Sequence, residues 1–330
     1  MMYSNFNFLK SLTLLMMVSL TCLLQAVAAT PRLTDQGDGY IGMVGDLDQD
    51  ENLNIGDITI LIDCLLKNSS APRVADVNGD GRLSIADATG LINNVLTDSP
   101  RRRLYQAGGI RFYMICVEGG TFQMGGTSEQ SSDALFDEYP VHSVTLSDYQ
   151  IAELEVPQIL WYHITGHVPS CFEDQESPVE NVSWDDCQLF IQQLNELTGC
   201  NFRLPTEAEW EFAARGGNLS KGYKYSGSND YDEVAWCENN SGDFIHRTGE
   251  KKPNELGIYD MSGNVWEWCQ DWWDVYSDGS VVNPTGPASG TTRVCRGGCM
   301  MSHVRFCRVS CRMDYASNTR RADVGLRLAL

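Results

Sequence analysis

The sequence predicts an α+β protein in two parts: a small all-α domain, then a large domain of few helices and many short strands. Three observations carry this expectation. Residues 45–96 repeat themselves at a spacing of 30, and each copy ends in an apolar pattern of helical period. All eight tryptophans lie beyond residue 160, and ten of the twelve cysteines lie beyond residue 110, which marks the rest of the chain as a separate unit. In that second part only two segments carry clear helix start and stop signals, and Gly-, Asn- and Asp-rich turns punctuate the remainder.

Composition bounds the function before any motif is read. With 24 basic and 44 acidic side chains among 330 residues the formal net charge is −20, which argues against a nucleic-acid partner or an anionic membrane surface. At 42% hydrophobic and 10% aromatic the chain is globular rather than disordered. At the N-terminus, Lys10 precedes an uncharged run from Leu12 to Leu24, and Ala26-Val27-Ala28-Ala29 supplies small residues for signal peptidase. Residues 1–29 therefore read as a cleaved signal peptide, and no later segment is apolar enough to span a membrane. The expectation is a secreted, extracellular protein, or a periplasmic or cell-surface one. Removing Cys22 with the signal leaves an odd number of cysteines, and in an exported chain structural disulfides among them are the favoured reading.

In the repeat, DLDQDENLNIGD (Asp46 to Asp57) sets above DVNGDGRLSIAD (Asp76 to Asp87). Asp46, Asp48, Asp50, Asn54 and Asp57 in one copy, and Asp76, Asn78, Asp80, Ser84 and Asp87 in the other, occupy loop positions 1, 3, 5, 9 and 12. That spacing wraps oxygens around a hard cation, with the carbonyls of Asn52 and Arg82 available at position 7, so each copy is expected to bind one Ca2+. Gly81 suits the sharp turn at position 6, whereas Glu51 in the first copy is expected to strain its loop. Ile58, Leu61, Ile62, Leu65 and Leu66 follow the first loop, and Ala88, Leu91, Ile92, Val95 and Leu96 the second, so each loop feeds one helix. Neither loop has an entering helix, and position 12 is Asp rather than Glu. In these features residues 40–98 resemble a type I dockerin, and the resemblance implies a cohesin domain as partner. At positions 10 and 11, which govern partner choice in that family, stand Ile55-Gly56 and Ile85-Ala86; this pair either forms a symmetric docking surface or packs in the core. Asp98-Ser99-Pro100-Arg101-Arg102-Arg103 opens a linker placed at residues 99–111.

In the large domain, Ser183 begins a helix whose stripe is Phe190, Ile191, Leu194 and Leu197 before Gly199 stops it. Thr206-Glu207-Ala208-Glu209 is a capping box that begins another, with Trp210, Ala213 and Ala214 ahead of Gly216-Gly217. Period-two spacing puts Trp266 and Trp268 on one face of a strand, which reads as core rather than as a sugar-stacking platform.

Several phrases recur here in a fixed order: Gly120-Thr121-Phe122-Gln123-Met124-Gly125, Pro178 to Trp184, RLPTEAEWEFAARGG from Arg203 to Gly217, Gly257 to Trp268, Arg296-Gly297-Gly298 and Gly325-Leu326-Arg327. In this order residues 112–330 closely resemble the formylglycine-generating enzyme family, also called sulfatase-modifying factors. The resemblance implies a C-type-lectin-like α+β fold. It also implies an activity: oxidation of a sulfatase cysteine to formylglycine with molecular oxygen and a copper(I) ion held by two thiolates. Those cysteines stand five residues apart shortly after the Arg-Gly-Gly phrase, with a histidine after the first. Here the pattern falls on Ser302, His303 and Cys307. Serine is a hard ligand, un-ionised near neutral pH, so a copper site built this way is expected to be absent or severely weakened. Cys295 and Cys299 lie close by, but Cys299 is out of register by three residues. The family also implies a structural Ca2+ held by the side chains of Asp260 and Glu267 and the carbonyls of Gly263 and Val265; the plainer reading is that those carboxylates cap turns. The sequence therefore favours a dockerin-bearing, non-oxidase binding or structural module in an extracellular polysaccharide-degrading assembly, with a glycan or a sulfatase-like protein as ligand. A formylglycine-generating oxidase is the alternative.

Overall fold

In the computed structural model, which describes residues 33–34, 37–97 and 101–330, the chain divides into two compact units, one ending in Ile41–Leu104 and one made of Asp38–Tyr40 and Tyr105–Leu330. The segment read as a signal peptide lies outside the described residues. Among the described residues no helix is long and apolar enough to cross a membrane.

The small unit is built on two helices, α1 (Ile55–Lys67) and α2 (Ile85–Thr97). Asn54 caps α1 reciprocally with Asp57, and Asn68 ends it in the left-handed conformation. Ile58, Leu61 and Leu65 are buried on α1, and Ala88, Leu91 and Ile92 on α2. The expected stripe is one residue too wide, because Leu66 is exposed. The stretch expected as linker carries a strand at Arg102–Ala107, since Leu104, Tyr105 and Ala107 are buried.

The large unit is α+β, as the sequence predicts. Strands β1 (Ile110–Val117) and β4 (Tyr149–Ala152) pair antiparallel. Strand β3 (His142–Thr145) pairs antiparallel with β2 (Thr121–Met124) and parallel with β6 (Ser280–Val282). A four-stranded sheet runs β8-β7-β5-β9, from β5 (Trp266–Trp272), β7 (Arg293–Arg296), β8 (Arg312–Tyr315) and β9 (Val324–Leu326). Three longer helices accompany the strands: α3 (Gln158–Thr165), α4 (Trp184–Thr198) and α5 (Glu207–Ala214). Helix α4 buries Cys187, Phe190, Ile191 and Leu194, stacks Phe190 on Trp161 at 4.6 Å, and ends at Gly199 with φ 69°. Leu197, expected in its stripe, is exposed. Helix α5 is fixed from both ends of its capping box: Thr206 Oγ1 accepts from Glu209 N at 3.1 Å, and Glu209 accepts from Thr206 N at 2.8 Å.

Strand β5 separates two apolar cores. Its alternation sends Trp266 and Trp268 into one, with Phe190, Leu194 and Phe202, and Cys269 into the other, with Trp210, Phe212 and Met261. Trp272 is used differently, because the Arg293 guanidinium lies between the Trp272 and Trp184 rings at 3.5 and 3.7 Å. Trp266 and Trp268 are buried, as the sequence expectation of core rather than sugar platform requires, and so are Trp161 and Trp210; Trp184, Trp236, Trp272 and Trp273 are half-buried.

Buried ions tie these pieces together. Arg327 bonds both oxygens of Glu267 and the carbonyls of Ala152 and Tyr259; Arg308 bonds Glu138 and Arg312 bonds Glu207. Arg327→Met leaves Glu267 buried without its counter-charge, and we expect a loss of about 3–5 kcal/mol in urea unfolding. A loss below about 1 kcal/mol contradicts this account of the core. A second expectation concerns pH. Burial pushes the Asp271 carboxyl up to about 7, with the charge of Glu207 adding to it, while its side chain accepts from Glu207 N at 2.9 Å. A raised carboxylate favours folding most below its unfolded value near ~4, and that contribution is lost as pH climbs through the folded value. Asp271→Asn keeps the acceptor and removes the titration. The variant should match wild type near pH 4 and exceed it by roughly 1–3 kcal/mol at pH 8, read from thermal unfolding at the two pH values.

Candidate functional site

Two places in the chain carry the chemistry that the sequence points to. The first is the pair of acidic loops. In the first loop Asp46, Asp48 and Asp50 bring carboxylate oxygens within 4.8 Å of one another. They are held there by the loop backbone: Asp46 accepts from Asp50 N at 3.2 Å and from Glu51 N at 2.9 Å, and Asp50 accepts from Asn52 N at 2.8 Å. The second loop repeats the pattern, with Asp76 accepting from Gly81 N at 2.8 Å, Asn78 from Asp80 N at 3.0 Å and Asp80 from Arg82 N at 2.8 Å. Asp76 Oδ1 is buried and has no hydrogen-bond partner. An oxygen in that state is what a coordinated cation satisfies, so the loops fit calcium. Burial raises the Asp76 carboxyl above its ordinary range, and the charges of Asp87 and Asp80 add to the effect.

The loops are not equivalent. Positions 4 and 6 take positive φ in both, at Gln49 (64°) and Glu51 (63°) in the first and at Gly79 (76°) and Gly81 (79°) in the second. A side chain at such a φ costs on the order of 1 kcal/mol, so the strain expected at Glu51 is present and is shared by Gln49. Positions 9 and 12 do more than the spacing suggests. Asn54 and Ser84 accept from Gly56 N and Ala86 N and so cap the two helices. Asp57 accepts from Leu47 N and Asn54 N, and Asp87 from Asn78 N and Ser84 N, which ties each loop to its helix. At positions 10 and 11 Ile55 is 64% exposed, Ala86 is exposed, and Gly56 and Ile85 are half-buried. These residues face outward rather than into the core.

The second place is the turn after Arg296-Gly297-Gly298. Ser302 is half-buried, and its Oγ lies 3.1 Å from both the Cys299 backbone nitrogen and the Cys299 Sγ. The Cys299 thiol also faces Asp323 at 3.6 Å, and burial pushes it up to about 11. His303 is exposed and caps a short turn, its Nδ1 accepting from Arg305 N at 3.2 Å. Cys307 is fully buried, and that burial holds its thiol well above the ordinary value. Copper(I) prefers a pair of soft sulfurs, and at position 302 this turn offers a hard hydroxyl instead, so the expected two-thiolate pair of residues 302 and 307 is not present. The contact of Cys299 with Ser302 follows from their spacing of three within one turn, a signal the sequence does carry.

The two carboxylates of the expected calcium site in this domain have protein partners. Glu267 spends both oxygens on Arg327 and accepts from Trp210 Nε1 at 2.6 Å, and Asp260 accepts from Gly249 N at 2.7 Å. Gly263 N donates to Gly297 O, and Val265 N to Glu155 Oε1 at 3.3 Å. The carboxylates of Asp260 and Glu267 are buried side by side, and Arg327 is the counter-charge of Glu267. Glu155, which the sequence gives no reason to single out, completes this cluster and also accepts from Asn264 Nδ2 at 2.8 Å. Seven of the eleven cysteines in the described residues are buried, and most of these pack as small apolar side chains in the two large cores.

Comparison with known proteins bears on both places. Residues 111–330 match the sulfatase-modifying factor enzyme 1-like domain, and residues 44–96 match the dockerin type I domain. Among similar proteins are the chaperone protein LppX of Paenibacillus barcinonensis, 34% identical over 65% of this chain and 88% of that one, and the formylglycine-generating enzyme of Thermomonospora curvata, 34% identical over 53% and 62%. The formylglycine-generating enzyme of Bos taurus is 31% identical over 61% of this chain and 58% of its own length. Of solved structures, Treponema denticola variable protein 1 aligns with TM-score 0.62 and 32% identity over 69% of this chain and 98% of that one. PvdO from Pseudomonas aeruginosa aligns with TM-score 0.55 and 25% identity over 66% and 93%. The large domain thus has the C-type-lectin-like α+β fold expected of it, and the chain belongs to the family of the sulfatase-modifying factor enzyme 1-like domain, with a dockerin type I domain ahead of it.

Proposed function

We propose that this protein is a calcium-organised docking protein whose large domain binds a ligand and performs no oxidase chemistry. The two acidic loops each hold one Ca2+, through Asp46, Asp48, Asp50 and the Asn52 carbonyl and through Asp76, Asn78, Asp80 and the Arg82 carbonyl. Ile55, Gly56, Ile85 and Ala86 then meet a cohesin domain. The large domain is a binding or structural module in an extracellular polysaccharide-degrading assembly, with a glycan or a sulfatase-like protein as ligand. The single observation behind the non-oxidase reading is the Ser302 hydroxyl, 3.1 Å from the Cys299 thiol, where a copper thiolate is required. A relative named as a chaperone supports a binding role for this type of domain, while relatives named as formylglycine-generating enzymes favour the oxidase alternative.

Copper(I) titration and incubation with a Cys-x-Pro-x-Arg peptide in air distinguish the two. The wild-type chain is expected to bind no copper(I) tightly and to leave the peptide cysteine unchanged, and Ser302→Cys to raise copper(I) affinity. Formylglycine in the peptide would establish the alternative. For the loops, calorimetric titration of the full chain with Ca2+ should resolve two sites, the first loop being weaker. Glu51→Gly relieves its strained φ and is expected to tighten that site roughly five-fold, and Asp76→Ala to abolish the other. Unchanged affinity in both variants would remove the loops as the calcium sites.

A further inference from the structure

Behind Ser302 two thiols share one small apolar pocket. Cys237 and Cys307 are both buried, and with Tyr225, Val234 and Ala235 they form a cluster separate from the two large cores, covered by Tyr231 and Val304. The segments that carry them are laced together by hydrogen bonds. Glu238 N donates to Ser302 O at 3.1 Å, and Ser241 Oγ donates to Met300 O at 2.8 Å, so the turn after Cys237 lies along the turn before Cys307. That first turn is fixed, because Asn240 N and Ser241 N both donate to Cys237 O and Cys237 N donates to Asn240 Oδ1 at 2.9 Å. On the other side Gly298 approaches so closely that a Cβ there would stand 2.7 Å from Cys307 Sγ. Besides burial, the neighbour that most opposes ionisation of Cys307 is Cys237, ahead of Cys299 and Cys311.

We propose that Cys237 and Cys307 form a disulfide, introduced during folding by exchange with an external disulfide of the glutathione type. One protein thiolate attacks the donor, its S–S bond breaks, and a mixed disulfide and one glutathione thiolate result. The second protein thiolate then displaces the other glutathione. The protein pair loses two electrons, the donor gains them, and the two protons end on the two glutathione thiols. The exchange precedes closure of the cluster, since burial keeps both thiols protonated in the folded chain. The bond closes a long loop of chain and withdraws Cys307 from metal chemistry. It does not depend on the binding-module reading, because a binding module could equally keep both thiols free.

The test is to refold the full chain from its reduced, denatured state in oxidised and reduced glutathione. Remaining thiols are then alkylated in denaturant, and the unreduced digest is mapped by mass spectrometry. The expected result is one peptide pair joined through Cys237 and Cys307, with neither residue alkylated. In Cys237→Ser the alkylated set gains Cys307, and in Cys307→Ser it gains Cys237. Reduction should lower the wild-type Tm by roughly 5–10 °C more than it lowers that of the double variant Cys237→Ser/Cys307→Ser. Alkylation of both residues in the wild type overturns the proposal, as does Cys307 joined to Cys299 or Cys311. Peptide mapping of the wild type decides even if a variant fails to fold, and it is independent of the copper measurement.

Discussion

The large domain depends on guanidinium groups with no access to water. Arg296, Arg308 and Arg327 are fully buried, and each does two things at once. Each neutralises a buried carboxylate, and each donates to oxygens that no regular ladder serves. Arg296 pairs with Glu211 while its Nη1 reaches the carbonyls of Ser310 and Cys311 at 2.7 and 2.6 Å; Arg327 does the same for Glu267 and the carbonyl of Ala152 at 2.9 Å. Only this double service makes such burial tolerable. An ion pair alone roughly cancels its own desolvation cost, but an orphaned carbonyl in a core costs about 1–3 kcal/mol. A fold with short strands and long irregular connections has many such carbonyls, and the planar five-donor fork of arginine can serve a carboxylate and backbone oxygens together.

That dependence explains which parts of the structure are legible in the sequence. The acidic repeat is local: oxygens at fixed spacing and a helix of regular period lie within one stretch, so both loops and both helices can be read directly. The capping boxes at Ser183 and Thr206 are local too, and both form with their expected partners. The period-two reading of Trp266 and Trp268 succeeds because alternation along a strand needs no knowledge of what lies opposite. What fails is pairing at long range. Nothing local reveals that Glu267 pairs with Arg327, 60 residues further on. Leu66 and Leu197 look buried by period alone, because a stripe tells which face turns inward and not how far the neighbouring layer extends.

The same division runs through the functional residues. The loops ask for a hard ion, and their oxygens are arranged by backbone amides of the same dozen residues, so the site exists as soon as the loop folds. A soft two-sulfur centre must instead be assembled from side chains free to ionise at one point. In this chain several sulfurs have been absorbed into packing: Cys299 against Ser302 and Asp323, and Cys187 and Cys295 in the apolar core. Burial keeps such thiols protonated and chemically quiet.

The exchange of serine for cysteine at residue 302 therefore has a consequence beyond a missing ligand. With a thiol at 302, the adjoining Cys299 and Cys307 would have faced a reactive neighbour, and two or three sulfurs around one turn invite oxidation and exchange with one another. A hydroxyl removes that competition, and it can still accept the Cys299 amide at 3.1 Å and so preserve the turn. The hydroxyl keeps the hydrogen bond of the turn without placing a further thiol in it. This is the pattern expected where a fold is retained for the surface it presents, since shape in this domain is secured elsewhere, by the buried arginines, and does not need a reactive centre to hold it.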